Sequence, residues 1–423
     1  MEIRFVPWGE FQKWSSVVAL SESAGWFGNI TAVALAGAEE PPDEIRALPI
    51  LSRLPLRTQA EDAWLSALRK AMEWCASQGW TIIGSAGMTG WDYSSWFAGK
   101  IGARLRLVLP PQKAARLPVL LDELIDDLQL SPERTTFIAP ILESPAIREE
   151  RFHLRDRLML ALAHHRLPIA VRKRGFWEKI LAEATGVDMG FRVSYPKPIS
   201  EPWREHVKIV DATQAPLDGD WLVHWTRGAY GPWFGETTAD YFETLTKAES
   251  GNPRDAIATL RYIAGAGILR GQGRMVRGGT PLVSFTALDN ESATDSGRWR
   301  SWLKRVNWEP YGIALRREVL ERLGGRRVIY GDDELHERLT PDERPFYQFI
   351  GNANFDWQSE AEWRLIGDLD LTTLGDEVIL IVPTQREAEE LRRELSFRVA
   401  ALQHSPPLAG FLGARGGESE VRK

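Results

Sequence analysis

WTIIGSAGMTGWD, residues 80–92, decides how the first half of the chain folds. Its β-branched and apolar start predicts a short strand, and Gly84, Gly87 and Gly90 follow at once. TGWDYSSWFAGKIG, residues 89–102, then predicts a helix. A strand that runs through glycines into a helix stands at the C-terminal edge of a parallel α/β sheet, where ligands bind. Glycines let the backbone approach an anion, and the first helical turn offers free N–H groups and the positive dipole end. A plain strand–helix turn is the alternative, since the pattern is neither a Walker A loop nor G-x-G-x-x-G.

The flanking sequence repeats the theme. ITAVALAG (30–37), RLRLVLPP (104–111), TTFIAPI (135–141), RLPIAVRKRG (166–175) and GFRVSYP (190–196) predict strands. Between them, residues 60–77 place Ala63, Leu65, Leu68 and Met72 at helical spacing. RDRLMLALAHH (155–165) and FWEKILAEA (176–184) also predict helices. Alternating strands and helices imply a Rossmann-like parallel sheet covered on both faces. YPKPISEPW (195–203), with three prolines, marks a boundary. The expected layout is a Rossmann-like domain over 1–200, a linker over 201–219, a second domain over 220–400 and a frayed tail over 401–423.

The second domain reads differently. DWLVHWT (220–226), PLVSFTAL (281–288), YGIAL (311–315), RRVIYG (326–331), EAEWRLIGDLDL (360–371) and DEVILIVP (376–383) are short strands. Helices intervene at DAIATLRYIAGAG (255–267) and REVLERLGG (317–325), and TQREAEELRRELSFRVAAL (384–402) predicts one continuous helix. The expectation is an α+β domain with a mainly antiparallel sheet. Three features in it bear chemistry. His224 sits on a strand ending at a glycine, and Ser284 and Thr286 stand at i and i+2. Glu360 and Glu362, also at i and i+2, would share one face of a strand. The plain alternatives are a packed histidine, a half-buried strand and an exposed acidic pair with Arg364 as surface partner.

Bulk composition narrows the classes. The 423 residues are 43% hydrophobic and 26% charged, with a net charge of −6. That balance argues against a protein that grips phosphate backbones irrespective of sequence. The single cysteine, Cys75, forbids an intrachain disulfide or a cysteine zinc cage. Its place in AWLSALRKAMEWCASQ (63–78) predicts a buried structural thiol. No metal site is expected. The N-terminus has no basic segment followed by an apolar one, and no run reaches about 18 apolar residues. A cytoplasmic protein without membrane contact is expected. The 18 tryptophans fit packing and, beside glycine turns, stacking on flat rings.

A second stretch, FHLRDRLMLALA (152–163), opens a helix with Arg155, Asp156 and Arg157. With the glycine turn, it resembles the SLOG superfamily of DprA/Smf proteins and LOG phosphoribohydrolases, over about residues 30–195. Thr89–Gly90–Trp91–Asp92 matches the end of its glycine motif, and Phe152, Arg155 and Arg157 match F-x-x-R-N-R, with Asp156 in place of asparagine. The resemblance implies a nucleotide pocket formed by Gly84, Ser85, Gly87, Thr89, Gly90 and Asp92, with Arg155 or Arg157 as counter-charge. The P-G-G-x-G-T-x-x-E signature of the hydrolases is absent from the sequence.

Residues 220–385 resemble the ADP-ribosyltransferase-like fold of DarT-type and AbiGi-like phage-defence domains. The likeness rests on the order of H-W-T, the helix at 255–269, V-S-F-T, YGIALRREVL, RRVIYG and E-x-E-W-R. It implies NAD as substrate and these roles. Glu362 would stabilise the ribosyl cation and Glu360 would serve the acceptor. His224 would bind ribose or the nicotinamide amide. Ser284 and Thr286 would line the nicotinamide slot, Arg227 would face the pyrophosphate, and Tyr311 or Tyr330 would stack on the ring. The whole would be a nucleotide-sensing protein with an NAD-consuming or ADP-ribosyl-transferring effector in bacterial anti-phage or stress defence. The acceptor (protein, nucleic acid or water) and homo-oligomer formation stay open. Two other readings are a non-catalytic nucleotide-binding scaffold, and a nucleotide-processing enzyme at the N-terminal glycines with Asp92 and Asp156 as acids.

Overall fold

The computed structural model describes residues 1–14, 27–38, 44–54, 58–144, 147–196, 209–211, 220–274, 276–287, 299–300, 305–306, 309–350 and 358–404. The chain forms two compact units, one of residues 1–198 with 230–252, the other of 199–229 with 253–423. Residues 230–252 thus belong with the first unit although they lie within the range 220–400.

In the first unit, β1 (Ile3–Pro7), β2 (Ile30–Gly37), β3 (Arg46–Leu51), β4 (Thr81–Gly84), β5 (Leu105–Val108), β6 (Thr135–Leu142) and β7 (His165–Ala170) form one sheet in the order β1-β2-β6-β5-β4-β3-β7. The five strands from β6 to β7 are mutually parallel. The helices α2 (Ala63–Ser77), α3 (Thr89–Lys100) and α4 (Leu117–Leu128) link β3, β4, β5 and β6 and pack into one core. The other face is covered by α1 (Trp8–Trp14) and α5 (Arg148–Leu162), beside the short α6 (Phe176–Leu181). Helix α2 buries Trp64, Leu65, Leu68, Ala71, Met72 and Cys75, and each large apolar side chain contributes roughly 1.5–3 kcal/mol. Burial raises the Cys75 thiol to about 12, consistent with a structural role. The C-terminal end of α5 meets two buried arginines. Arg46 Nε donates to Leu162 O at 2.6 Å and Arg166 Nη2 to Leu160 O at 3.0 Å, and cations there complement the helix dipole.

Two expectations for this unit are corrected. ITAVALAG is β2, but it runs antiparallel to β6 and pairs with β1, so the two extend the parallel sheet as an antiparallel pair. GFRVSYP is not a strand; its backbone reaches β7 through Val193 N–H to Ile169 O at 2.8 Å, and Pro196 cannot donate to a ladder. The unit is completed by α7 (Thr238–Lys247), which buries Ala239, Tyr241, Phe242 and Leu245 in the same core as α2 and α3.

The second unit contains β8 (Trp221–Trp225), β9 (Leu282–Thr286), β10 (Gly312–Arg316), β11 (Arg326–Arg327), β12 (Glu362–Ile366), β13 (Val378–Val382) and β14 (Arg398–Ala401). Their order is β11-β12-β9-β8-β10-β13-β14, antiparallel except for the parallel pair β13–β14. One face packs with α8 (Ala256–Ala266), α9 (Arg317–Arg322) and α10 (Gln385–Glu394) on a core that includes Leu222, Phe285, Ile313, Leu365 and Leu380. The predicted helix over 384–402 stops at Glu394. Leu395 has φ −127°, and Arg398–Ala401 becomes β14. Pairing beside β13 outweighs helix propensity for this stretch. Within the expected linker, Ile209–Asp211 pairs antiparallel with Gln403–His404. The tail beyond 404 lies outside the described residues.

Candidate functional site

The glycine turn of the first unit is built tightly. A Cβ on Gly84 would stand 2.7 Å from Ser95 Oγ and 3.1 Å from Leu105 Cδ1, and Gly87 has φ +91°, a left-handed conformation that glycine adopts without strain. Gly90 lies against the loop after β3, its added Cβ 3.1 Å from Leu51 Cδ1 and 3.3 Å from Leu54 Cδ1. Ser85 is a strut, contrary to a phosphate-facing role. It is fully buried, its Oγ donates to Val108 O at 2.7 Å, and its carbonyl accepts from Ser95 Oγ at 2.8 Å. Helix α3 begins after Met88 without a side-chain cap, so the first-turn N–H groups around Thr89 and Gly90 keep their anion-binding potential.

Asp92 folds back onto the turn and accepts the Gly87 N–H at 2.7 Å. Burial pushes its carboxyl up to about 7; the Gly87 N–H opposes this, Asp127 adds to it, and Arg155 lowers it again. Arg155 is 1% exposed and places Nε 2.8 Å and Nη2 2.7 Å from Asp156 Oδ1. Its Nη1 is buried with no hydrogen-bond partner among the described residues. An unsatisfied buried donor is costly, and here it belongs to a cation whose charge reaches Asp92. Asp156 is committed to Arg155, while Arg157, two positions beyond Arg155, is partly buried. The Arg155 charge thus acts on the turn through Asp92, without a direct bond to it among the described residues.

In the second unit the register of β9 and β12 sets the site. Thr286 pairs with Glu362 and Ser284 with Arg364, so these four side chains share a face. Ser284 Oγ donates to Glu362 Oε1 at 2.6 Å. Arg364 grips both carboxylate oxygens, Nε to Oε1 at 2.9 Å and Nη2 to Oε2 at 3.1 Å. The remaining Arg364 donors reach Pro345 O at 3.1 Å, Tyr347 O at 2.7 Å and Gln348 Oε1 at 2.7 Å. Trp225 Nε1 donates to Thr286 Oγ1 at 3.0 Å. The Tyr330 hydroxyl accepts the Glu362 N–H at 3.2 Å. Burial, with the charges of Glu362 and Glu360, raises this phenol to about 12 against the Glu362 N–H and Arg364, which lower it. It stays neutral with a proton to donate.

Other expected members do not join this face. Val223 pairs with Thr286, which turns the neighbouring His224 to the opposite face. There its ring meets Phe285 edge-on at 6.0 Å and its Nδ1 lies 2.9 Å from Ser284 O. Desolvation lowers His224 to about 4, with Arg227 adding to the effect and the Ser284 carbonyl opposing it, so the ring is neutral. Tyr311 packs against the helix-covered core and donates to Glu387 Oε1 at 2.7 Å; burial first, then Glu387, raises its phenol. Glu360 does not share a strand face with Glu362. It ends a 3-10 turn (Gln358–Glu360), and Ala361 at φ +44° separates it from β12. The sequence reading missed Trp225 and Gln348, and gave Arg364 a place only in the plain alternative, as a surface partner, whereas it is 3% exposed. The i, i+2 spacing of Glu362 and Arg364 was the available signal.

An open hollow of about 420 Å³, lined by Gly331, Asp332, Leu335, Arg338, Phe349 and Ile350, begins next in sequence to Tyr330. Among the described residues no group of three or more His, Cys, Asp or Glu side chains is arranged to hold a metal ion. Among them, too, no helix is long and apolar enough to cross a membrane.

No family model matches the chain, and no curated protein matches it. Among solved structures the chain is similar to DNA processing protein A (DprA) from Streptococcus pneumoniae, with 14% sequence identity and a TM-score of 0.28. That likeness covers 40% of this chain and 57% of that one, so the chain spans little more than half of the protein it matches.

Proposed function

We propose that the second unit consumes NAD, by glycohydrolysis or ADP-ribosyl transfer at Glu362, and that the first unit binds a nucleotide-derived ligand at the glycine turn. The observation that carries the reading is the fixed Glu362 carboxylate, held by Ser284 and Arg364 on the face that also presents Thr286. Cleaving the nicotinamide–ribose bond sends the bonding pair to the leaving nicotinamide nitrogen and positive charge to the ribosyl carbon. A carboxylate fixed beforehand stabilises that charge without reorganising. Water or another acceptor then adds to the carbon and loses its proton. The Tyr330 phenol, neutral beside Glu362, donates a hydrogen bond to a substrate oxygen. The link to ADP-ribosyltransferase-like defence effectors remains analogy.

A second reading, a non-catalytic nucleotide-binding scaffold, is favoured by a specific observation. His224 faces away from Glu362, and both Glu362 oxygens already accept hydrogen bonds. Nicotinamide release from NAD by the purified protein separates the two, with wild type beside Glu362→Gln and with or without nucleotides. Release that falls at least about 100-fold in the variant supports the enzyme. No release from folded wild-type protein under any condition supports the scaffold.

A further inference from the structure

Four cations gather beside the glycine turn of the first unit, on a protein whose net charge is −6. Arg53 follows β3, and Arg172, Lys173 and Arg174 follow β7; all four are exposed. Strands β3 and β7 are parallel neighbours, so both loops leave the same edge of the sheet as the turn after β4. The loops are tied together: Arg172 N–H donates to Ser52 Oγ at 3.0 Å, and the Tyr195 hydroxyl donates to Arg53 O. The loop carrying Arg53 also touches α3, through Gly90 against Leu51 and Leu54. None of the four side chains has an ion-pair or hydrogen-bond partner among the described residues. The nearby carboxylate Glu178 is engaged elsewhere, accepting the Arg174 N–H at 2.5 Å and lying 3.6 Å from Arg192.

Like charges left unpaired and close together repel one another, so the arrangement costs stability unless an anion completes it. Adjacent strands are about 4.8 Å apart. The loops after β3 and β7 therefore lie about one and two strand spacings from the turn, a gap that long arginine and lysine side chains bridge toward a phosphate chain extending from it. A second observation lies on α5: the Arg155 Nη1 donor is buried and unsatisfied among the described residues, on a guanidinium whose charge reaches Asp92 of the turn.

We propose that the first unit recognises a nucleotide carrying two or more phosphates, one at the glycine turn and Arg155, the others on the rim of Arg53, Arg172, Lys173 and Arg174. This rests on the glycine turn being the nucleotide site. The rim then supplies selectivity for polyphosphate over monophosphate, through several exposed charges instead of one buried contact.

The test measures binding of AMP, ADP, ATP, GMP, GDP and GTP to the full-length chain at 50 and 200 mM salt, by calorimetry. The rim variant is Arg53→Gln/Arg172→Gln/Lys173→Gln, whose fold is checked by thermal melting. Wild type is expected to bind a triphosphate at least about 10-fold more tightly than its monophosphate, with the preference shrinking at high salt. The variant keeps the monophosphate affinity within about 2-fold and loses the preference. Equal wild-type affinity for mono- and triphosphates, or a variant that retains the preference, overturns the rim while the pocket stands. Absence of binding by all six nucleotides overturns the pocket and the rim together. A single-stranded oligonucleotide that binds through the rim while nucleotides do not overturns the proposal in favour of a nucleic-acid surface.

Discussion

Arg364 is 3% exposed and spends its N–H donors on Glu362, Gln348 and the carbonyls of Pro345 and Tyr347. Lysine at this position has three donors on a flexible stem and cannot reproduce a planar bidentate grip. Arg364→Lys is expected to lower stability by about 1–3 kcal/mol, read from urea unfolding. A double-mutant cycle with Glu362→Gln should give a coupling of about 0.5–3 kcal/mol, and additive effects would contradict the clamp. Asp92 and His224 make opposite pH predictions. The Asp92 carboxyl, raised to about 7, binds its proton more tightly when folded. Its contribution is full below about pH 4, the unfolded carboxyl pKa, and is lost as pH rises through 7. Asp92→Asn, which keeps an acceptor for the Gly87 N–H, should gain a few kcal/mol, up to about 4, over wild type at pH 8 and nothing at pH 4. His224, lowered to about 4, contributes fully above about pH 6.5 and loses that contribution as pH falls through 4. His224→Gln should flatten wild-type stability over that interval, measured by denaturant midpoints across the range.

Helix α10 shows how local rules set its two ends differently. Thr384 accepts the Glu387 N–H at 3.2 Å, and Glu387 returns the contact to the Thr384 N–H at 3.1 Å, a complete capping box. Thr384→Ala should cost about 1 kcal/mol, seen as a lower thermal midpoint. That start was legible in T-Q-R-E, while the stop at Glu394 was not, because only the partner strand β13 makes Arg398–Ala401 a strand. The same division runs through both units. Strands and helices with strong periodicity, such as α2, β4 and β9, stand where the pattern puts them. The direction of β2 and the loop at 190–196 depend on tertiary pairing, which a local pattern does not encode. At the second site, the i, i+2 rule joined Ser284 with Thr286 correctly. It failed for Glu360, which precedes the strand, and parity across β8 and β9 turned His224 away.

At the scale of the molecule, the first unit is discontinuous in sequence. Helix α7 comes from residues beyond 230, and its Phe242 packs edge-on to Tyr93 at 5.1 Å and tilted to Trp96 at 5.7 Å. A fragment ending at residue 200 leaves these aromatic faces in water, whereas one ending at 252 covers them. The shorter fragment is expected to melt several degrees lower and to bind a hydrophobic dye; equal melting temperatures would show that α7 adds nothing. During synthesis the ribosome must release residue 247 before the first unit can close. By then β8 has already emerged, a central strand still waiting for β9 and β10 on either side. A single genetic crossover cannot therefore exchange one unit as a self-contained cassette. Any recombinant that inherits β8 and α7 from different parents must match both at once, so the interleaved path ties the inheritance of the two units together.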